Sequence, residues 1–249
     1  MRRLMRGLRA VGRLLWVVLH GLHGLGIVLL RFPSLDATGR QARVQWWSAR
    51  LLRVLGLRLE VRGRFRPGAK LIVANHVSWI DVMAIHAVCP EARFVSKADV
   101  QHWPLLGRLV GAGGTLYIAR ERRRDALRVV HEMAAALQAG DTVAVFPEGT
   151  VSDGHALLPF HANLLQAAIA TATPVQPVAI RFSDARDRIS RAADFSGTIT
   201  IARSLWMLAG GEGLVVRIVV LAPQGTAHAD RRALADALRV QIGSTLDRL

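Results

Sequence analysis

The residues best suited to chemistry are a histidine and a carboxylate five positions apart, His76 and Asp81, at the end of an apolar run. Leu71-Ile72-Val73-Ala74 stops at Asn75-His76, and a second apolar segment begins at Trp79 with Asp81 near its start. The pattern predicts a buried strand, a short polar turn and then a helix. On one continuous helix, five steps of about 100° would set the two residues on separate faces. With His76 in the turn and Asp81 in the first helical turns, the imidazole can fold back over the carboxylate, and Ser78 is placed to cap the helix. A carboxylate bonded to one ring nitrogen fixes the tautomer and stabilises the imidazolium. The other nitrogen is then free to take a proton from a hydroxyl. A lone His near an Asp is also an ordinary structural pair, so the pair alone leaves both readings open.

A second strand-end feature is Phe146-Pro147-Glu148-Gly149-Thr150, where the apolar run Thr142–Phe146 ends in a polar turn expected to expose Glu148. A third, Gly114 to Arg120, delivers Arg120 to the same side. In parallel α/β sheets, sites form beyond the carboxyl ends of strands, so a base, a carboxylate, a glycine turn and an arginine are expected to converge there.

The elements that must position these groups alternate. Strands are predicted over 57–62, 71–74, 93–96, 115–118, 142–146, 175–182 and 214–221, and helices over 81–88, 103–110, 122–138, 164–172 and 229–246. The stretch 199–208 is ambiguous between the two. Alternation of this kind predicts an α/β domain with a mostly parallel sheet flanked by helices.

Residues 1–55 differ. Arg2, Arg3, Arg6, Arg9 and Arg13 precede an apolar run from Leu14 to Leu30, just short of the ~20 residues that span a bilayer. A spanning helix, an interfacial helix and a secretory signal all fit, although Arg31-Phe32-Pro33 closes the run without a small-residue cleavage site. After Pro33, residues 36–55 form a basic amphipathic helix with paired Trp46 and Trp47. The expected organisation is membrane-anchoring helices over 1–55 and an α/β domain over 56–249. The arginines would lie on the cytoplasmic side of the inner membrane.

The formal net charge is +15, and Lys70 and Lys97 are the only lysines. Arginine excess suits phosphate and anionic membrane surfaces. With 6% aromatic residues and no recognition-helix or RNA-binding signature, charge alone does not support a nucleic-acid partner. The single cysteine, Cys89, excludes an intrachain disulfide and a multi-cysteine zinc site. The histidines lack metal-ligand spacing, so neither metal nor cofactor is expected. A non-enzymatic lipid-binding protein fits the N-terminus and the charge, but not the polar strand ends.

Asn75-His76-x-Ser78-x-x-Asp81 followed by Phe146-Pro147-Glu148-Gly149-Thr150 resembles the glycerolipid acyltransferase family, which includes the lysophosphatidic acid acyltransferases. Gly114–Arg120 and Val175–Ile180 resemble that family's middle and last blocks. The resemblance implies a membrane-associated O-acyltransferase. It would move a fatty-acyl group from an acyl carrier protein or coenzyme A thioester to a lysolipid, foremost 1-acyl-sn-glycerol-3-phosphate. It also implies that His76 is the general base and Asp81 its partner, and that Arg120, Glu148, Gly149 and Thr150 bind the acceptor. Ala119 and Val151 depart from the family pattern, which commonly has Asp and Arg there. The run 151–160 looks more like the branch that contains lyso-ornithine lipid acyltransferases.

Overall fold

The structure, a computed structural model, describes residues 2–104, 106–118 and 123–249. Its centre is a seven-stranded sheet of β1 (Arg58–Arg62), β2 (Lys70–Ala74), β3 (Ala92–Lys97), β4 (Leu116–Ile118), β5 (Thr142–Val145), β6 (Val175–Ser183) and β7 (Val215–Val220), in the order β1-β7-β6-β2-β5-β3-β4. Every neighbouring pair is parallel except β6–β7. The expected mostly parallel sheet is thus present, with one antiparallel seam that the strand pattern did not reveal.

β2 and β5 are buried along their whole length, as continuous apolar strands covered on both faces must be. They lie side by side, Leu71 opposite Val143 and Val73 opposite Val145, so their carboxyl ends open at one place. Alternation along β2 divides the core. Ile72 and Ala74 face a cluster with residues of α1 (Arg2–Leu30), α2 (Ala37–Leu55), α3 (Ile80–His86) and α7 (Ile201–Ala209). Leu71 and Val73 face α5 (Arg123–Gln138), α6 (Gln166–Ala170) and α8 (Arg231–Asp247). A shorter α4 (Leu106–Ala112) follows a 3-10 turn at Ala98–His102. The ambiguous stretch is the helix α7, whose first turn is capped by the Thr200 hydroxyl accepting from Arg203 N–H.

α1 is docked on the layer beneath it. Ala10 is fully buried in the core. The Arg13 guanidinium donates to the carbonyls of Ala209 at 3.0 Å and Gly211 at 2.9 Å, where α7 ends with unpaired acceptors and negative dipole. Further along, the ring of His20 stacks on Trp47 of α2, and the Trp47 indole N–H donates to His20 O at 3.0 Å. Gly24 is required at this crossing, because a Cβ there would lie 2.3 Å from the Trp47 indole nitrogen. The outer face of α1 carries Leu4, Leu8, Val11, Leu15, Leu19 and Leu22, all exposed.

Gly24→Val is expected to push α1 off α2 and to cost about 1–3 kcal/mol, the usual cost of overpacking a tight contact. A lowered thermal midpoint with faster proteolytic release of residues 2–30 would show it; an unchanged midpoint and digestion pattern would mean that the crossing tolerates a side chain.

Candidate active site

β2 ends at Ala74 and the chain turns out of the sheet. Asn75 anchors that turn: its amide donates to Ile180 O at 2.9 Å and accepts from Ile180 N–H at 2.7 Å, which extends the β2–β6 pairing by one residue. His76 follows, its side chain 19% exposed. Its Nδ1 lies 2.8 Å from Asp81 Oδ2. The same oxygen accepts the backbone N–H groups of Val77 at 2.8 Å and Ser78 at 2.9 Å. Asp81 is completely buried at the start of α3. The expected pairing of a turn histidine with a first-turn aspartate is therefore present. With Nδ1 donating to a carboxylate, Nε2 is the basic nitrogen of the neutral ring. One face of the imidazole stacks on Phe146 with a centroid separation of 3.9 Å, and Phe146 stacks in turn on Phe94.

Two expectations are corrected here. Ser78 does not cap α3: its hydroxyl is buried without a hydrogen-bond partner among the described residues. The capping runs the other way, with Asp81 reaching back to the N–H groups of the turn. Glu148 is not exposed but only 3% accessible. Its Oε1 accepts from His76 N–H at 2.7 Å and its Oε2 from Leu158 N–H at 2.9 Å. Burial raises its carboxyl above the usual range, against the lowering effect of those two N–H donors and of His76. Glu148 therefore joins three segments, the β5 end, the His76 turn and the loop at Leu158. Sequence spacing carries no signal for that second partner.

Gly149 and Thr150 are exposed beyond Glu148. Gly149 holds φ +71°, and a Cβ there would stand 2.9 Å from the His161 ring. Ser152, the hydroxyl near the site, gives both its N–H (2.8 Å) and its Oγ (3.2 Å) to His76 O, so it fixes the turn. Cys89 is 1% exposed, and burial, foremost, pushes its thiol far above the thiolate range needed for nucleophilic attack. Arg120 lies outside the described residues.

A family model described as Acyltransferase matches residues 58–181. The chain is 38% identical over 227 residues to a lyso-ornithine lipid O-acyltransferase of Pseudomonas aeruginosa, covering 90% of this chain and 86% of that one. It is 34% identical over 177 residues to a 1-acyl-sn-glycerol-3-phosphate acyltransferase of Neisseria meningitidis serogroup B, covering 71% and 69%. The crystal structure of the 1-acyl-sn-glycerophosphate acyltransferase PlsC from Thermotoga maritima matches with a TM-score of 0.75 at 20% identity, over 100% of this chain and 97% of that one, and has the same fold. The chain belongs to the acyltransferase family, and it is an enzyme of that class.

Glu148→Gln keeps one acceptor oxygen but sets an NH₂ group against a second backbone N–H. Stability is expected to fall by about 1–3 kcal/mol, the cost of a buried unsatisfied donor. Urea unfolding of the two proteins measures it, and equal midpoints would show that the clamp carries no stability.

Proposed function

We propose that this enzyme transfers a fatty-acyl group from an acyl carrier protein or coenzyme A thioester directly to the hydroxyl of a lysolipid, with His76 as general base. The carrying observation is the geometry of Asp81: one buried oxygen holds His76 Nδ1 at 2.8 Å and leaves Nε2 as the proton acceptor. The lysolipid hydroxyl loses its proton to Nε2 as its oxygen attacks the thioester carbonyl. The tetrahedral intermediate then expels the thiolate, and the proton on His76 returns to the departing sulfur. Asp81 stabilises the imidazolium in between. No acyl-enzyme is required, in keeping with the buried Cys89 and the carbonyl-bound Ser152.

Glu148 acts here as a positioning residue through its two backbone bonds. Gly149, Thr150 and Arg120 are assigned to the acceptor's head group. One acceptor of this class is 1-acyl-sn-glycerol-3-phosphate, which would yield phosphatidic acid. Two observations favour a lyso-ornithine lipid instead: Val151 supplies no charge beside the Glu148 turn, and the match to the lyso-ornithine lipid enzyme spans 90% of this chain.

The reaction is placed at a membrane surface facing the cytoplasm. α1 is long and apolar enough to cross a bilayer: an 18-residue window within Leu4–Leu30 has a mean hydropathy of 1.7, and little of it is buried. Its bonds to α7 and α2 at Arg13 and His20 hold it against the enzyme, which supports a helix lying in the interface rather than one leaving the domain. Trp46, Trp103 and Trp206 are also exposed, consistent with an interfacial contact. His76 stacks on Phe146, which packs into the same layer of the core as α1.

His76→Ala is expected to abolish acyl transfer in a folded, vesicle-bound protein. Asp81→Asn is expected to lower kcat by about 10³–10⁴-fold, the loss seen when a histidine base is held in the wrong tautomer. Turnover with labelled thioester, offered lysophosphatidic acid and lyso-ornithine lipid side by side, measures both variants and ranks the acceptors. Ordinary turnover in folded His76→Ala would sink the proposed mechanism.

A further inference from the structure

The ring of His76 lies almost flat on the ring of Phe146, with centroids 3.9 Å apart and planes 8° from parallel. For two neutral aromatic rings this is a poor arrangement. Both faces carry negative charge, so such pairs prefer edge-on or offset packing, with centroids about 4.5–7 Å apart. A cation over the same ring face is attracted to it. The geometry therefore suits imidazolium better than imidazole. The stack is also held in place. His76 is fixed at Nδ1 by Asp81 at 2.8 Å and at its backbone N–H by Glu148 at 2.7 Å. Phe146 stacks on Phe94, whose centroid is 5.5 Å away with a tilt of 22°. Phe94 is 4% exposed, and the buried His86 meets it edge-on at 5.1 Å. Nε2–H of His86 donates to Ala92 O at 2.9 Å, and burial, foremost, lowers the His86 pKa, so His86 backs the row as a neutral ring. Gly113 closes the row behind it, where a Cβ would stand 2.8 Å from His86 Cε1.

We propose that Phe146 stabilises the protonated form of His76 by presenting its π face to the imidazolium, and that Phe94 holds Phe146 in that plane. Asp81 from α3 and Glu148 from the end of β5 are the carboxylates hydrogen-bonded to His76. Each divides its charge among other donors: Asp81 Oδ2 also serves Val77 and Ser78, and Glu148 serves Leu158. The π face of Phe146 adds to them from a third direction. Its attraction appears when the proton arrives on Nε2 and vanishes when the proton leaves with the thiol. It therefore favours the transition state over the resting enzyme, and it acts on kcat rather than on substrate binding. That His76 is the base rests on the mechanism proposed above; the stabilisation of its imidazolium does not.

The test uses the full chain in detergent, with Phe146 replaced by trifluorophenylalanine, which keeps the ring's shape but drains its face of negative charge, and separately with Phe146→Leu. NMR of the His76 Cε1–H follows its titration, the signal being identified by its loss in His76→Ala. The midpoint is expected to move to lower pH by roughly 0.5–1 unit in both variants, because an imidazolium that loses a stabilising partner gives up its proton sooner as pH rises. Phe94→Leu is expected to move it the same way by less. In the acyl-transfer assay the acid limb of the pH profile of kcat follows the same shift. The plateau kcat is expected to fall about 2–5-fold with KM unchanged, a split that a merely structural loss would not give. An unmoved or raised midpoint in the fluorinated protein would overturn the stabilisation and leave His76 as base intact. A shift in Phe146→Leu alone would assign the effect to lost packing and overturn it equally. A shift in both variants, alongside full turnover in His76→Ala, would keep the stabilisation and remove the base.

Discussion

Three donors converge on one carboxylate oxygen, Asp81 Oδ2, and the rest of the site depends on that convergence. His76 Nδ1 and the N–H groups of Val77 and Ser78 all lie within 2.9 Å of it. A carboxylate with no exposure to solvent is stable only when such bonds replace its hydration. The bonds therefore stabilise Asp81 and shape the turn at once. They define how the chain leaves β2, where α3 begins and which ring nitrogen of His76 stays free. The remaining oxygen, Oδ1, and the Ser78 hydroxyl are buried without partners among the described residues, so the turn is held at a cost in unsatisfied polar groups. Glu148 holds the same turn from the β5 side, and Asn75 ties it to β6. The histidine is thus fixed from three strands, and Phe146 stacked against its ring limits rotation.

This rigidity suits a one-step transfer between two amphiphiles. With neither Cys89 nor Ser152 placed as a nucleophile, the proposed catalysis rests on holding a single base where the hydroxyl and the thioester meet, so that positioning contributes much of the rate. The helices α1 and α2 belong to the layer that packs behind the site, and the outer face of α1 is apolar. In the proposed reaction, helices that carry both a core face and an exposed apolar face would let the enzyme present its base to substrates held in a bilayer. Arg13, bound to the end of α7, makes α1 part of the enzyme's own packing.

Much of this was legible in the sequence because the signals were local. Apolar runs ending at Asn75 and Pro147 marked β2 and β5, and the five-residue spacing of His76 and Asp81 allowed only one kind of meeting. What escaped was decided by partners far away in the chain. Glu148 looked like an exposed turn residue because Leu158 N–H, its second partner, carries no sequence signature. Ser78 looked like a cap because serines usually are, but Asp81 already held the N–H groups of that turn. The antiparallel entry of β7 and the docking of Gly24 on Trp47 are likewise tertiary facts.

Direct transfer driven by a single oriented histidine is most directly tested by rapid-mixing measurement of thiol release from the acyl thioester, with and without lysolipid. Thiol is expected to appear only when lysolipid is present, at the rate at which acylated product forms. A stoichiometric burst of thiol in the absence of lysolipid, with an acyl group left on the chain, would contradict it.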